Sequence, residues 1–411
     1  SEGSFCVPSL KCTGNVRKPS VVLAHKLLST YLYRADARHR DAAQRNRDAA
    51  LQTYLLNIFT PFPHSVILGT GKQRKFGNTI NWGKSFYRGE HMGDRIKVIM
   101  DCDPGIDDGI ALAYAAAHQD ELELLAITTF AGNATIDKVT KNALELADFY
   151  GLKVPVAKGQ ERPLVKEPLH AEEFHGETGL GHCVLPETKK ELASDNAVLF
   201  IRDILNDLPE GEQVTVIETA PMTNLALLLR IFPEVKEKIR QIVFMGGAAK
   251  GGNITPAAEF NIYADPEAAK IVFSSGIPLV MCGLDATLKC NLTRNQIMKL
   301  CQSGNPVAKA CGDMAGYVLG NPTKYRCVAS IHDAVPFMYL LHPEFFKTEK
   351  ALLDVDCSEG AGRGATLCDF RWWLHEEDEM KDIILTDADT GNFQQELFES
   401  IYSVSGCRAA K

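Results

Sequence analysis

Residues 97–109 read KVIMDCDPGIDDG, a short apolar run that ends in four aspartates: Asp101, Asp103, Asp107 and Asp108. Like charges so close together repel, and Pro104 and Gly105 bend the chain so that the carboxylates cannot splay apart along an extended strand. Something positive belongs among them. The stretch also changes character within a few residues, from apolar run to turn to the small-residue helix pattern DGIALAYAAAH.

That change repeats down the chain. LELLAITTF is followed by the helical stripe of IDKVTKNALELADFYG; VPVAKG, NAVLFIRDILNDL, QVTVIETA, MTNLALLLRIF, QIVFMGG, DPEAAKIVFSSG and IPLVMCGL continue the alternation. Strands buried on both faces read as continuous Val/Ile/Leu runs, and helices between them imply right-handed crossovers. The pattern predicts an α/β fold: a single large domain with a mainly parallel, doubly wound, Rossmann-like central sheet flanked by helices.

Charge divides the chain in two. Residues 1–91 hold 14 Lys or Arg against 5 Asp or Glu, so the overall net charge of −8 splits into +9 before residue 92 and −17 after it. The first piece, with YRADARHRDAAQRNRDAA, lacks the strand and helix alternation. It is expected to be a basic N-terminal extension outside the catalytic fold: a disordered tail, a targeting segment or sequence upstream of a start at Met92. Residues 92–411 are expected to form the catalytic domain. Apolar runs such as VPFMYLLHP are too short for the roughly 20 residues of a spanning helix. Twelve scattered cysteines with no C-x-x-C pair suit reduced thiols in a cytoplasmic protein. No aromatic interleaving in the basic segment supports nucleic-acid binding.

In open α/β sheets ligands sit beyond the carboxyl ends of the strands. The residues there are Asp101, Asp103, Asp107 and Asp108 after the first strand and Asn133 after the second. Later strands contribute Thr219, then Asn253, Glu259 and Asn261, then Asp285, and VASIHDAVPF places His332 beside Asp333 at the start of an apolar helix. Carboxylates and amides without a cysteine or histidine cluster select Ca²⁺ or Mg²⁺ over zinc. An aspartate at a strand end is often only a turn former or helix cap, a role open to Asp101.

DCDPGIDDG, TTFAGN, MGG, AEFNIYADPEAA and HD, in this order, resemble the nucleoside hydrolases, specifically those that prefer inosine and uridine. The resemblance covers residues 95–405. It implies an N-ribosyl hydrolase that splits a ribonucleoside into base and ribose with a bound Ca²⁺. It also implies that Asp103, Asp108, the Thr219 carbonyl and Asp333 hold the ion, with Asp103 the general base on a calcium-bound water. Asp107, Asn133, Asn253, Glu259 and Asn261 would hold the ribose, with Met245 packing beneath the ring. A homodimer or homotetramer is expected, with neither nucleic acid nor membrane as partner.

N-glycosidic cleavage passes through an oxocarbenium-like sugar that anionic and amide oxygens stabilise. The departing base needs a proton, and His332 is the candidate general acid, its alternative being to cap the helix or orient Asp333. His175, in EEFHGETGLG, falls where the family has a flap over the base; the same glycines also suit a solvated surface loop. Tyr325 is a candidate for the base side. Trp82, Trp372 and Trp373 lie away from both histidine segments, which argues against a tryptophan-sandwiched purine site. Two rivals stay open: a D-x-D haloacid dehalogenase-type Mg²⁺ phosphatase, and a non-catalytic nucleoside or ribose binder.

Overall fold

Alternation within the strands decides where the core lies. The computed structural model describes residues 95–320, 328–376 and 379–406, all within one compact unit, Thr79–Lys411. The expected extension 1–91, Met92, Trp82 and Tyr325 lie outside the described residues.

The strands are β1 (Ile96–Cys102), β2 (Leu122–Thr129), β3 (Val156–Ala157), β4 (Val214–Glu218), β5 (Ile239–Met245), β6 (Leu279–Cys282), β7 (Asn291–Thr293), β8 (Val328–Ser330), β9 (Phe346–Val355), β10 (Thr366–Asp369) and β11 (Asp382–Ala388). Among the described residues nine of them form one sheet in the order β10-β9-β11-β6-β5-β4-β1-β2-β3, while β7 and β8 pair separately. From β11 to β3 every neighbouring pair is parallel. Only β9 and β10, at one end, join antiparallel. This is the expected mainly parallel, doubly wound sheet.

Because side chains alternate across a strand, successive residues go to opposite cores. Val98, Met100 and Cys102 of β1, Ile217 of β4, Val243 of β5 and Val280 of β6 join the core that includes the helices Ile106–Ala117, Pro306–Gly320 and Ala334–Leu341. Ile99, Val216, Ile242, Phe244, Leu279 and Met281 face the other way, against Ala197–Asp207, Thr223–Ile231 and Pro266–Phe273. With both faces covered, the central strands have no polar side to show.

The strand order reverses between β1 and β4. Two connections leave in opposite directions there, and the gap beyond the carboxyl ends is where such sheets take a ligand. β1 delivers its aspartates into that gap. The helix Ile106–Ala117 begins at once, its first turn holding Asp107 and Asp108. Carboxylates in a first turn favour the helix through its dipole, and Asp108 accepts a hydrogen bond from the Gly105 N–H at 3.0 Å.

Candidate active site

The four aspartates of the opening stretch are all buried and have separate partners. Asp101, still on β1, points back into the sheet. Thr128 donates to its carboxylate at 2.5 Å and Asn224 donates at 2.9 Å, and burial pushes it up to about 6. Asp103 is held on Asn133: the backbone N–H donates to Oδ2 at 2.7 Å and the side-chain amide to Oδ1 at 3.0 Å. Burial, and then the charge of Asp108, raise its pKa well above the carboxylate range.

Asp108 accepts from three directions, from the Gly105 N–H, from the Asn133 amide at 3.2 Å and from the Thr219 hydroxyl at 2.8 Å. Its neighbour Asp107 faces the cavity. Asp107, Asp108 and Asp333 each bring a carboxylate oxygen within 4.8 Å of the others, and all three are buried. Burial raises their pKa values, and the mutual charges of the cluster push Asp107 and Asp333 further. None of the described residues lining the adjoining cavity is Lys or Arg. A hard cation among oxygen donors is what this donor set fits. The cluster could hold a metal ion.

Asp107, expected on the ribose, is one of the three that converge, while Asp103, expected on the ion, is turned onto Asn133 beside them. Asn133, expected on the ribose, spans Asp103 and Asp108 with one amide nitrogen. Thr219 presents its hydroxyl to Asp108, and its carbonyl accepts from Asn261 at 2.9 Å, with a second lone pair left over.

The cavity wall joins Asp107, Asn133, His175, Thr219, Met245, Asn253, Glu259, Asn261, His332 and Asp333. Asp285, at the same rim in the sequence, is not part of it and accepts from the Ala249 N–H at 2.7 Å. Glu259 caps a short helix, Phe260–Ala264; its Oε2 accepts backbone N–H groups of Gly247, Asn261 and Ile262 at 3.0, 3.0 and 3.4 Å. Burial outweighs those bonds and pushes it up to about 7. Asn261 donates to the carbonyls of Thr219 and Met245, which ties the ends of β4 and β5 together and leaves its Oδ1 as an acceptor. The Asn253 carbonyl oxygen of the side chain accepts from the Phe260 N–H at 2.9 Å.

Two histidines face each other across the wall. His175 belongs to a four-residue helix, Glu172–His175, rather than to a featureless loop. The Ile106 N–H donates to its Nδ1 at 3.1 Å, so Nε2 carries the ring proton. Burial, then the charge of His332, lower it to about 4, so it is neutral at pH 7. His332 sits 2.8 Å through Nδ1 from the Thr287 hydroxyl. Trp372 and Trp373 are exposed by 72% and 63%, and neither lines the cavity.

Sequence patterns missed several neighbours. Glu218 lies in register with Asp101 on the adjacent strand, fully buried. Burial, then the charge of Asp101, raise its pKa well above the ordinary value. Its place at the end of VTVIE, like Asp101 at the end of KVIMD, is the signal that marks it. Apolar wall residues such as Ile106, Phe174, Ile254 and Leu288 carry no such signal.

The open sheet carries, at its switch point, a cavity lined by carboxylates, amides, two histidines and apolar side chains. The model of the inosine-uridine preferring nucleoside hydrolases matches residues 98–395. The pyrimidine-specific ribonucleoside hydrolase RihB of Escherichia coli is 39% identical over 278 residues, covering 67% of this chain and 88% of that protein. Among solved structures, a purine-preferring ribonucleoside hydrolase from Gardnerella vaginalis superposes with a TM-score of 0.69 at 30% identity, covering 75% of this chain and 99% of that one. A plant nucleoside hydrolase gives 0.69 at 28% identity over the same shares. The chain belongs to the inosine-uridine preferring nucleoside hydrolase family. It is an enzyme that hydrolyses the N-glycosidic bond of ribonucleosides, which sets aside the phosphatase and the non-catalytic binder.

Proposed function

We propose that this enzyme is a Ca²⁺-dependent hydrolase of inosine- and uridine-like ribonucleosides, acting in the cytoplasm as a homodimer or homotetramer, with residues 92–411 as its catalytic domain. What carries the proposal is the convergence of buried Asp107, Asp108 and Asp333 beside Asp103 and a cavity that Asp107 and Asp333 line. Asp103, Asp108, Asp333 and the Thr219 carbonyl are the groups that would hold Ca²⁺, with Asp107 near enough to Asp108 and Asp333 to share it. When bound, Ca²⁺ offsets the clustered negative charge and makes water more acidic.

The chain's own groups do the rest. Asp103, held by Asn133, takes a proton from the attacking water. The water oxygen bonds to the anomeric carbon as the C–N bond breaks, and that electron pair leaves with the base. His332 supplies the proton that neutralises the base. Asp107, Glu259, Asn253 and Asn261 offer oxygen acceptors to the ribose hydroxyls, and their negative field favours the oxocarbenium-like sugar. Met245 gives the ring an apolar floor. Neutral His175, with Nε2 protonated, is a donor on the base side.

The test is a panel of inosine, guanosine, adenosine, uridine and cytidine, assayed for reducing ribose in phosphate-free buffer with and without chelator. Inosine and uridine should be cleaved and chelation should stop it. Asp103→Ala should remove activity by about 10³-fold or more while the chain stays folded. Chelator-insensitive cleavage would overturn the metal assignment, and ribose 1-phosphate formed only with added phosphate would replace hydrolysis by phosphorolysis.

A further inference from the structure

In the proposed mechanism the proton reaches the base from Nε2 of His332, while Nδ1 lies beside the Thr287 hydroxyl. Thr287 ends the short helix Leu284–Thr287 that follows β6. Thr287 is fully buried and lies behind His332, outside the cavity wall, so it cannot touch substrate. Its hydroxyl lies 2.8 Å from Nδ1, and this is the one hydrogen bond that hydroxyl makes among the described residues. The two segments are also pinned through the backbone, where the Ile331 N–H donates to the Cys290 carbonyl at 2.8 Å and β7 pairs with β8.

We infer that Thr287 is a positioning residue for the proton-donating histidine: it accepts the Nδ1–H and so aims the Nε2–H at the departing base. Proton balance requires this direction. An imidazole that gives up its Nε2 proton must keep the other on Nδ1, or it would become an imidazolate. A threonine hydroxyl can accept that Nδ1–H throughout the transfer, since it rotates to suit. It is also uncharged. A carboxylate in its place would hold the imidazolium more tightly and make it a poorer acid.

The inference rests on His332 as the acid, and the test separates the two. Thr287→Val, which keeps shape and removes the hydroxyl, Thr287→Ser, which restores it, and His332→Gln are assayed on uridine and inosine and on 4-nitrophenyl ribofuranoside. The nitrophenolate leaves without protonation, so a defect in acid catalysis spares it. Thr287→Val should lower kcat on the nucleosides by about 10- to 100-fold, within the range that general acid catalysis supplies. Activity on the nitrophenyl riboside should change by less than about 3-fold, and Thr287→Ser should recover most of the nucleoside activity. Equal losses on both substrates, or none, in Thr287→Val while His332→Gln discriminates between them would overturn the role of Thr287 alone. If His332→Gln does not discriminate, His332 is not the acid and the inference falls with it.

Discussion

Glu259 shows at the scale of one residue how a binding group is held against its own preference. Three backbone N–H groups favour the carboxylate, yet burial wins and its pKa rises from 4.5 to about 7. A carboxyl with a raised folded-state pKa is favoured by folding in its protonated form. Its contribution to stability is therefore present at pH 4 and lost as pH climbs through 7. Glu259→Gln should consequently be more stable than the parent at pH 8, by up to about 3 kcal/mol, and match it at pH 4. Function runs the other way. An ionised carboxylate accepts ribose hydroxyls better than a protonated one, so KM for uridine should rise as pH falls below about 7 in the parent, and that dependence should vanish in Glu259→Gln at a higher KM. Melting curves and KM profiles on the two proteins, read side by side, check both signs; a parent KM flat between pH 6 and 8 would refute the ribose role.

At the scale of elements, the site is made by the loops and helix starts at the carboxyl ends of the strands. The loop after β2 must pass close under Asp103, and Gly132 is there because a Cβ on it would stand 2.0 Å from Asp103 Oδ2. Gly132→Ala is expected to displace that carboxylate from Asn133 and cut kcat by about 10-fold or more, with a folded chain by circular dichroism. An unchanged kcat would show that the carboxylate has room to move. β1, β2, β4, β5 and β6 were legible in the sequence because strands buried on both faces must be apolar throughout, and the aspartates at their ends stand out by contrast. β9 was not. Its ten residues FKTEKALLDV bury Phe346 and then expose four in a row, so the run reads as surface helix or loop as readily as strand. Thr287 and His332 meet across 45 residues, and the pairing of Asp101 with Glu218 comes from strand register; neither contact has a local pattern. Which carboxylates converge, Asp107, Asp108 and Asp333, was hidden for a related reason. Spacing places four carboxylates in one turn but does not say which way each one faces.

At the scale of the whole chain, the charge is divided along the sequence, net +9 over residues 1–91 and −17 over the rest. Everything assigned to the site lies between Asp101 and Asp333, the family match runs over residues 98–395, and β1 begins at Ile96, four residues after Met92. Residues from 92 onward carry the net −17, against −8 for the whole chain. Chelation should therefore lower the melting temperature as well as stop hydrolysis, because the buried Asp107, Asp108 and Asp333 lose the charge that offsets them. The same boundary predicts the outcome of truncation. If residues 92–411 are the catalytic domain as proposed, a chain starting at Met92 should hydrolyse uridine within about 2-fold of the full-length rate. It should also shift to a lower isoelectric point, having lost a net +9. Kinetics and melting on the two chains, both loaded with Ca²⁺, decide the matter. A truncated enzyme that folds but loses most of its kcat would place part of residues 1–91 in the catalytic unit.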